Sequence, residues 1–159
     1  MSRIDELTDQ DIEELIRLPK IVREDKFRRI KIIDKNGYKR FNLEVESQNN
    51  DVKFEIFCRQ AIDDPTDYSV GLVSTFQDGS NIRLMRCNGL HGTHRNNIEK
   101  TKLTGKHIHV ATERYIRKGF DAEGVAVSVD NDYDNVESAF DCLIDKCNIT
   151  VEGANLFNL

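Results

Sequence analysis

The stretch YSVGLVSTFQDGSNIRLMRCNG, residues 68–89, sets two apolar, β-branched runs on either side of Asp78-Gly79. An Asp-Gly pair accepts the left-handed backbone of a tight turn, so the runs read as neighbouring antiparallel strands. Working outward, VKFEIFCRQ (52–60) puts Val52, Phe54, Ile56 and Cys58 on one face of a strand. Asn36-Gly37 joins FRRIKIID (27–34) to YKRFNLEVES (38–47) and gives a second hairpin signal. QNND and IDDPTD supply the remaining links. The result is a meander of about five antiparallel strands. HIHVATE (107–113) adds a sixth, turning helical through ERYIRKG (113–119).

A helix closes each end of this sheet. In LTDQDIEELIRLP (7–19), Thr8 caps a helix, Asp11 takes the third position, and Leu7 and Ile12 staple the entry. Ile12, Leu15 and Ile16 make the apolar stripe, and Pro19 stops the helix. In YDNVESAFDCLIDKC (133–147), Asp134 and Glu137 are placed as a capping pair, while Val136, Ala139, Phe140, Leu143 and Cys147 share a face. The tail ITVEGANLFNL is either a short strand or loose. With no repeat and no linker, residues 1–159 make a single α+β domain. Its expected form is an N-terminal helix, a bent or barrel-like antiparallel sheet of five to six strands, and a C-terminal helix.

Composition sets outer bounds. The chain has 159 residues, 38% hydrophobic and 32% charged, which suits one well-solvated folded domain. No apolar run approaches the ~20 residues of a membrane span, and the acidic start lacks a signal-type apolar core. A cytoplasmic protein with no membrane contact is the expectation. Cys58, Cys87, Cys142 and Cys147 form no CxxC pair and read as reduced, small hydrophobes. Net charge is −5, yet residues 17–40 hold ten Lys/Arg against three Asp/Glu, and residues 83–118 hold nine against two. Either these windows make a phosphate-facing patch, or the acidic segments neutralise them in space.

Residues 88–106, NGLHGTHRNNIEKTKLTGK, lack apolar periodicity, and a loop that long is usually functional or mobile. His91 and His94 lie in it, and His107 and His109 follow at once, so all four histidines fall within 91–109. Alternation puts His107 and His109 on one strand face, about 7 Å apart. With Ile108 and Val110 facing the core, both imidazoles would look outward into a cleft roofed by the loop.

Several chemistries could use that cluster. In metal-independent RNA cleavage, His107 and His109 would serve as base and acid, and Glu113 would orient one of them. Arg86, Arg95, Lys106, Arg114 and Tyr115 would hold the phosphate, with no cofactor. The same basic segment could dock RNA, or DNA less readily, without reacting. Asp63, Asp64, Asp67, Asp130, Asp132 and Asp134 could instead present a DNA-like face to a protein partner, or simply make turns and caps. A metal held by the H-x-H pair with His91, His94 or Glu113 is disfavoured by the flanking cations. The bland alternative is an edge strand with solvated histidines.

RCNGLHGTHRN (86–96) followed by KHIHVATERYIRKG (106–119) resembles a family of small proteins of unknown function from Gram-positive bacteria and their prophages. Arg86, Asn88, Gly89, His94, His107, His109, Thr112, Glu113, Arg114 and Tyr115 carry the likeness. The resemblance brings no activity, but implies a phage-defence, toxin–antitoxin or anti-defence setting. The leading expectation is therefore a prophage-type protein acting on nucleic acid, as a metal-independent endoribonuclease or an RNA-binding toxin. A non-enzymatic inhibitor, antitoxin or anti-defence factor that binds a nuclease or defence complex is the alternative. A His-coordinated metalloprotein comes after it.

Overall fold

Thr8 opens the first helix as its spacing predicts. Its Oγ accepts from the Asp11 amide at 3.1 Å, and the Asp11 carboxylate accepts from the Thr8 amide at 3.0 Å. The computed structural model describes residues 2–90, 92–129 and 132–153. After a 3-10 turn at Arg3–Glu6, the elements are α1 (Asp9–Arg17), β1 (Lys20–Val22), α2 (Glu24–Arg28), β2 (Ile33–Lys35), β3 (Tyr38–Ser47) and β4 (Val52–Ala61). Next come β5 (Tyr68–Phe76), β6 (Asn81–Asn88), β7 (Thr93–Asn96), β8 (Thr101–Thr104) and β9 (His107–Val110). The chain finishes with α3 (Glu113–Arg117), β10 (Ala126–Ser128), α4 (Val136–Lys146) and β11 (Ile149–Val151).

The fold is α+β, but its sheet is larger than the sequence suggests. Among the described residues nine strands join in one open, mixed sheet, ordered β10-β9-β6-β5-β4-β3-β1-β11, with β2 also on β3. The sheet thus has more strands than the five to six expected, is mixed rather than wholly antiparallel, and is not closed into a barrel. β1 and β10, which the sequence does not announce, and β11, the short strand that the tail allowed, have three residues each, too few for alternation to show. β1 and β11 pair in parallel, Ile21 opposite Thr150, and bring the two ends of the domain together.

Two boundaries moved for local reasons. FRRIKIID is strand only from Ile33, because Glu24–Arg28 winds into a helical turn that buries Phe27, with acids at its start and cations at its end. The cap of α4 is Asn135 rather than Asp134, with Ser138 rather than Glu137 answering it. The Ser138 amide donates to Asn135 Oδ1 at 2.7 Å, while Asp134 accepts from Ser138 Oγ at 3.1 Å. Adjacent Asp and Asn are near-equal caps, so composition alone does not choose between them.

The sheet has two unlike faces. Phe54, Ile56, Val70, Leu72, Ile82, Leu84, Cys87 and Ile108 are buried in the core with Ala139, Phe140 and Leu143 of α4. Lys20 lies at the edge of this layer, where its ammonium donates at 2.8 Å to each of the carbonyls of Ile16, Leu18 and Cys147. Burial pulls its pKa down to about 8, so it stays charged at neutral pH and ties off the ends of α1 and α4 together. On the opposite face, register aligns two rows across the sheet. One runs Asn42, Phe57, Gly71, Arg86, His109, Ala126, and the other Arg40, Arg59, Ser69, Asn88, His107, Ser128.

A β-bulge decides what that second face carries. Between β5 and β6 the register shifts, Leu72 lying opposite Met85 and Val73 opposite Arg83, so Leu84 is the extra residue. Arg83 and Arg86 are three apart and would face opposite ways on a regular strand. The bulge turns both to the same side and leaves Leu84 and Met85 consecutively buried. The Leu84 carbonyl is satisfied by the Ala111 amide at 2.9 Å.

The stretch 88–106 is structured. Its β7–β8 hairpin turns with Lys100 at φ 58°, a position with no glycine to betray it. Asn96 docks the hairpin on β10, accepting from the Ala126 amide at 2.8 Å and donating to the Ala126 carbonyl at 2.9 Å. The hairpin thereby covers the β9–β10 end of the second face, while the β3–β6 end stays open.

Candidate nucleic-acid interface

Two histidines of β9 lie under the hairpin, and a third, His94, reaches them from its β7 strand. His94 stacks on His107 with ring centroids 5.6 Å apart and meets His109 edge-on at 4.5 Å, and His107 meets His109 at 5.0 Å. His107 and His109 share a strand face, as alternation requires. They do not face solvent: they are 2% and 1% exposed. Each ring spends a nitrogen on a backbone carbonyl, which can only accept. His107 Nδ1 donates to Gly105 at 2.8 Å, His109 Nδ1 to Glu123 at 2.7 Å, and His94 Nε2 to Gly124 at 2.7 Å. Ser69 Oγ donates to Asn88 Oδ1 at 2.6 Å, and the Asn88 amide reaches His107 Nε2 at 3.4 Å.

This packing fixes the protonation of His109. Burial first, then the positive field of Arg86 and of the neighbouring imidazoles, holds its pKa at about 3. At neutral pH it is uncharged and is no proton donor to a substrate. Among the described residues no group of three or more His, Cys, Asp and Glu is arranged to hold a metal ion. His91 lies outside the described residues, as does Asp130 of the acidic set.

Other expected site residues are engaged elsewhere. Glu113 faces α1, not a histidine: its amide donates to Asp9 Oδ1 at 2.8 Å, and its carboxylate accepts from the Asp9 amide at 3.1 Å. Tyr115 is fully buried, its hydroxyl against Glu99 at 3.1 Å and the Ile98 amide at 3.2 Å, so it anchors the hairpin turn rather than a phosphate. Arg114 pairs with Glu99 at 3.2 Å. Lys106 donates to the Tyr133 carbonyl at 2.8 Å, and Arg95 is exposed on β7. Of the expected phosphate holders only Arg86 lines the open half of the sheet.

That open half is a groove of about 870 Å³. Arg29, Lys31, Lys35 and Arg40 line one flank, and Arg59, Arg83 and Arg86 the floor and the other, with no Asp or Glu among the described lining residues. Seven cations around one concavity, in a chain of net charge −5, concentrate positive potential on one side. Arg29, Lys31, Lys35 and Arg40 come from the first basic window, only Arg83 and Arg86 from the second, and Arg59 from neither. Arg40 and Arg59 stand directly opposite each other across β3 and β4, their guanidiniums 6.0 and 5.0 Å from the Tyr38 ring. Like charges so placed destabilise a sheet. Arg86 sits at the inner end, half-buried against Glu123 at 3.3 Å, and its Nε has no hydrogen-bond partner among the described residues. Burial lowers its pKa and the Glu123 carboxylate opposes that shift.

Residues 7–149 match DUF6978, a family of unknown function. The chain belongs to that family. Curated proteins and solved structures give no match. The DUF6978 span runs from Leu7, which staples α1, to Ile149, which opens β11, and so contains the groove and the histidine cluster together. No helix among the described residues is long and apolar enough to cross a membrane.

Sequence reasoning missed most of the groove. Arg40, Arg59 and Phe57 alternate with the core residues of β3 and β4, a signal present in the pattern but carrying no label. Arg83 could not have been placed, because its side depends on the bulge at Leu84.

Proposed function

We propose that the protein binds RNA through the open, basic half of its sheet. The carrying observation is the groove itself, with seven cations and no carboxylate among its described lining residues. Phosphate neutralisation supplies most of the affinity of such a surface, and aromatic and guanidinium planes on a sheet receive unpaired bases. The opposed Arg40 and Arg59 side chains support the reading, because a phosphate between them would relieve a repulsion that the free protein bears. The buried histidines serve the fold: they hold the β7–β8 hairpin on the sheet and take no part in proton transfer to a strand.

Binding of a labelled RNA oligonucleotide across a salt series tests this. The affinity of the wild type should fall with salt, with a slope near −0.7 for each phosphate neutralised. An Arg40→Gln/Arg59→Gln variant should bind more weakly, lose about 1.4 from the slope, and melt no lower than the wild type. Absence of binding at low salt, or binding indifferent to both salt and the double variant, would reject the proposal.

A further inference from the structure

We infer, on the strength of the RNA-binding reading above, that the groove takes a single strand and seats one of its bases on Phe57. Phe57 is half-buried in the middle of the floor, and the residue opposite it on β5 is Gly71. A Cβ added to Gly71 would fall 2.3 Å from Phe57 Cε1 and 2.4 Å from Cζ. The ring therefore leans across β5 into the space of the missing side chain instead of standing upright. The Arg83 guanidinium lies 5.2 Å from the ring centroid, so a planar cation already reaches the ring from the groove. A nucleobase is the other planar group suited to that position, and Arg83 can lie against it or grip the adjoining phosphate.

The rim supplies hydrogen-bonding capacity. Asn42, directly opposite Phe57 on β3, and Asn81 at the start of β6 are exposed in the groove, and their side-chain amides engage no other described residue. Each offers donors and an acceptor to a base edge. A duplex keeps its bases stacked inward and offers this floor backbone and groove edges but no open base face. A featureless polyanion has no π-face at all. The combination of ring, guanidinium and amides thus selects an unpaired, base-bearing strand.

The test uses the whole protein with three probes: a short single-stranded RNA carrying 2-aminopurine, its blunt duplex, and inorganic polyphosphate. The wild type should bind the single strand more tightly than the other two and quench the 2-aminopurine. Phe57→Leu should weaken single-strand binding on the order of tenfold, abolish the quench, and leave polyphosphate binding unchanged. Phe57→Tyr, which keeps the ring, should retain both the affinity and the quench, so a folding defect at this position is separable from loss of stacking. Equal effects of Phe57→Leu on RNA and polyphosphate, or a duplex bound as tightly as the single strand, would overturn the stacking inference and leave the basic groove standing. A wild type that binds neither RNA nor polyphosphate would overturn the groove reading as well.

Discussion

His109 makes the stability of this protein depend on acidity in a calculable way. Its pKa is about 3 in the folded state, against about 6.5 for an unperturbed histidine. Between these values the unfolded chain binds a proton that the folded protein refuses, so stability rises with pH through the window and falls as acid is added. The contribution is complete above about pH 6.5 and declines toward pH 3. At roughly 1.36 kcal/mol per pKa unit the full span is on the order of 5 kcal/mol, of which about 2 kcal/mol is lost between pH 7 and pH 5. His109 is 1% exposed, so solvent screening does little to shrink the figure. Urea unfolding followed by circular dichroism at several pH values, for the wild type and for His109→Gln, isolates the effect. The glutamine cannot titrate, so its curve carries the pH dependence of every other group. The wild type's stability relative to the variant should fall by about 2 kcal/mol from pH 7 to pH 5. Parallel curves for the two proteins would refute the reasoning.

Two further predictions concern the layer that supports the sheet. Lys20→Met leaves three carbonyls, Ile16, Leu18 and Cys147, without their shared donor and should cost about 2–4 kcal/mol in urea unfolding, a loss under about 1 kcal/mol counting against the shared-cap role. Asn135→Ala should cost about 1 kcal/mol and Asp134→Ala only a few tenths, by thermal unfolding; the reverse order would return the α4 cap to Asp134.

The sequence was legible wherever one local rule acted without competition. The Thr8–Asp11 cap, the turn at Asn36-Gly37, and the strands at 52–60, 68–76 and 81–88 all follow from short-range chemistry that few other conformations satisfy. The candidate site was half legible. Alternation put His107 and His109 on one face, but alternation says nothing about what covers that face. The cover is β7–β8, a hairpin of Thr, His, Arg, Asn, Lys and Leu with no apolar stripe and no glycine at its tip. It is held by contacts with residues well outside it in sequence, Asn96 with Ala126 and Ile98 with Tyr115. Burial of the histidines is therefore a tertiary fact. The groove was hidden for a second reason. Its cations come from α2's flank, β2, β3, β4 and β6, and the last pair, three apart in sequence, share a side because a bulge absorbs the leucine between them.

Phe54, Ile56 and Cys58 point into the core from the same strand that sends Phe57 and Arg59 into the groove. Neighbouring positions of β4 thus serve different physical tasks. A lineage could exchange the groove's side chains one by one, trading one class of ligand for another, while the hydrophobic half of the strand kept folding intact. Leu84 is the exception. Deleting that one residue would leave Arg83 and Arg86 two apart on a regular strand, both still facing the groove, so the cost would fall on the core, which loses the Leu84 side chain, and on the Ala111 amide, which loses its acceptor.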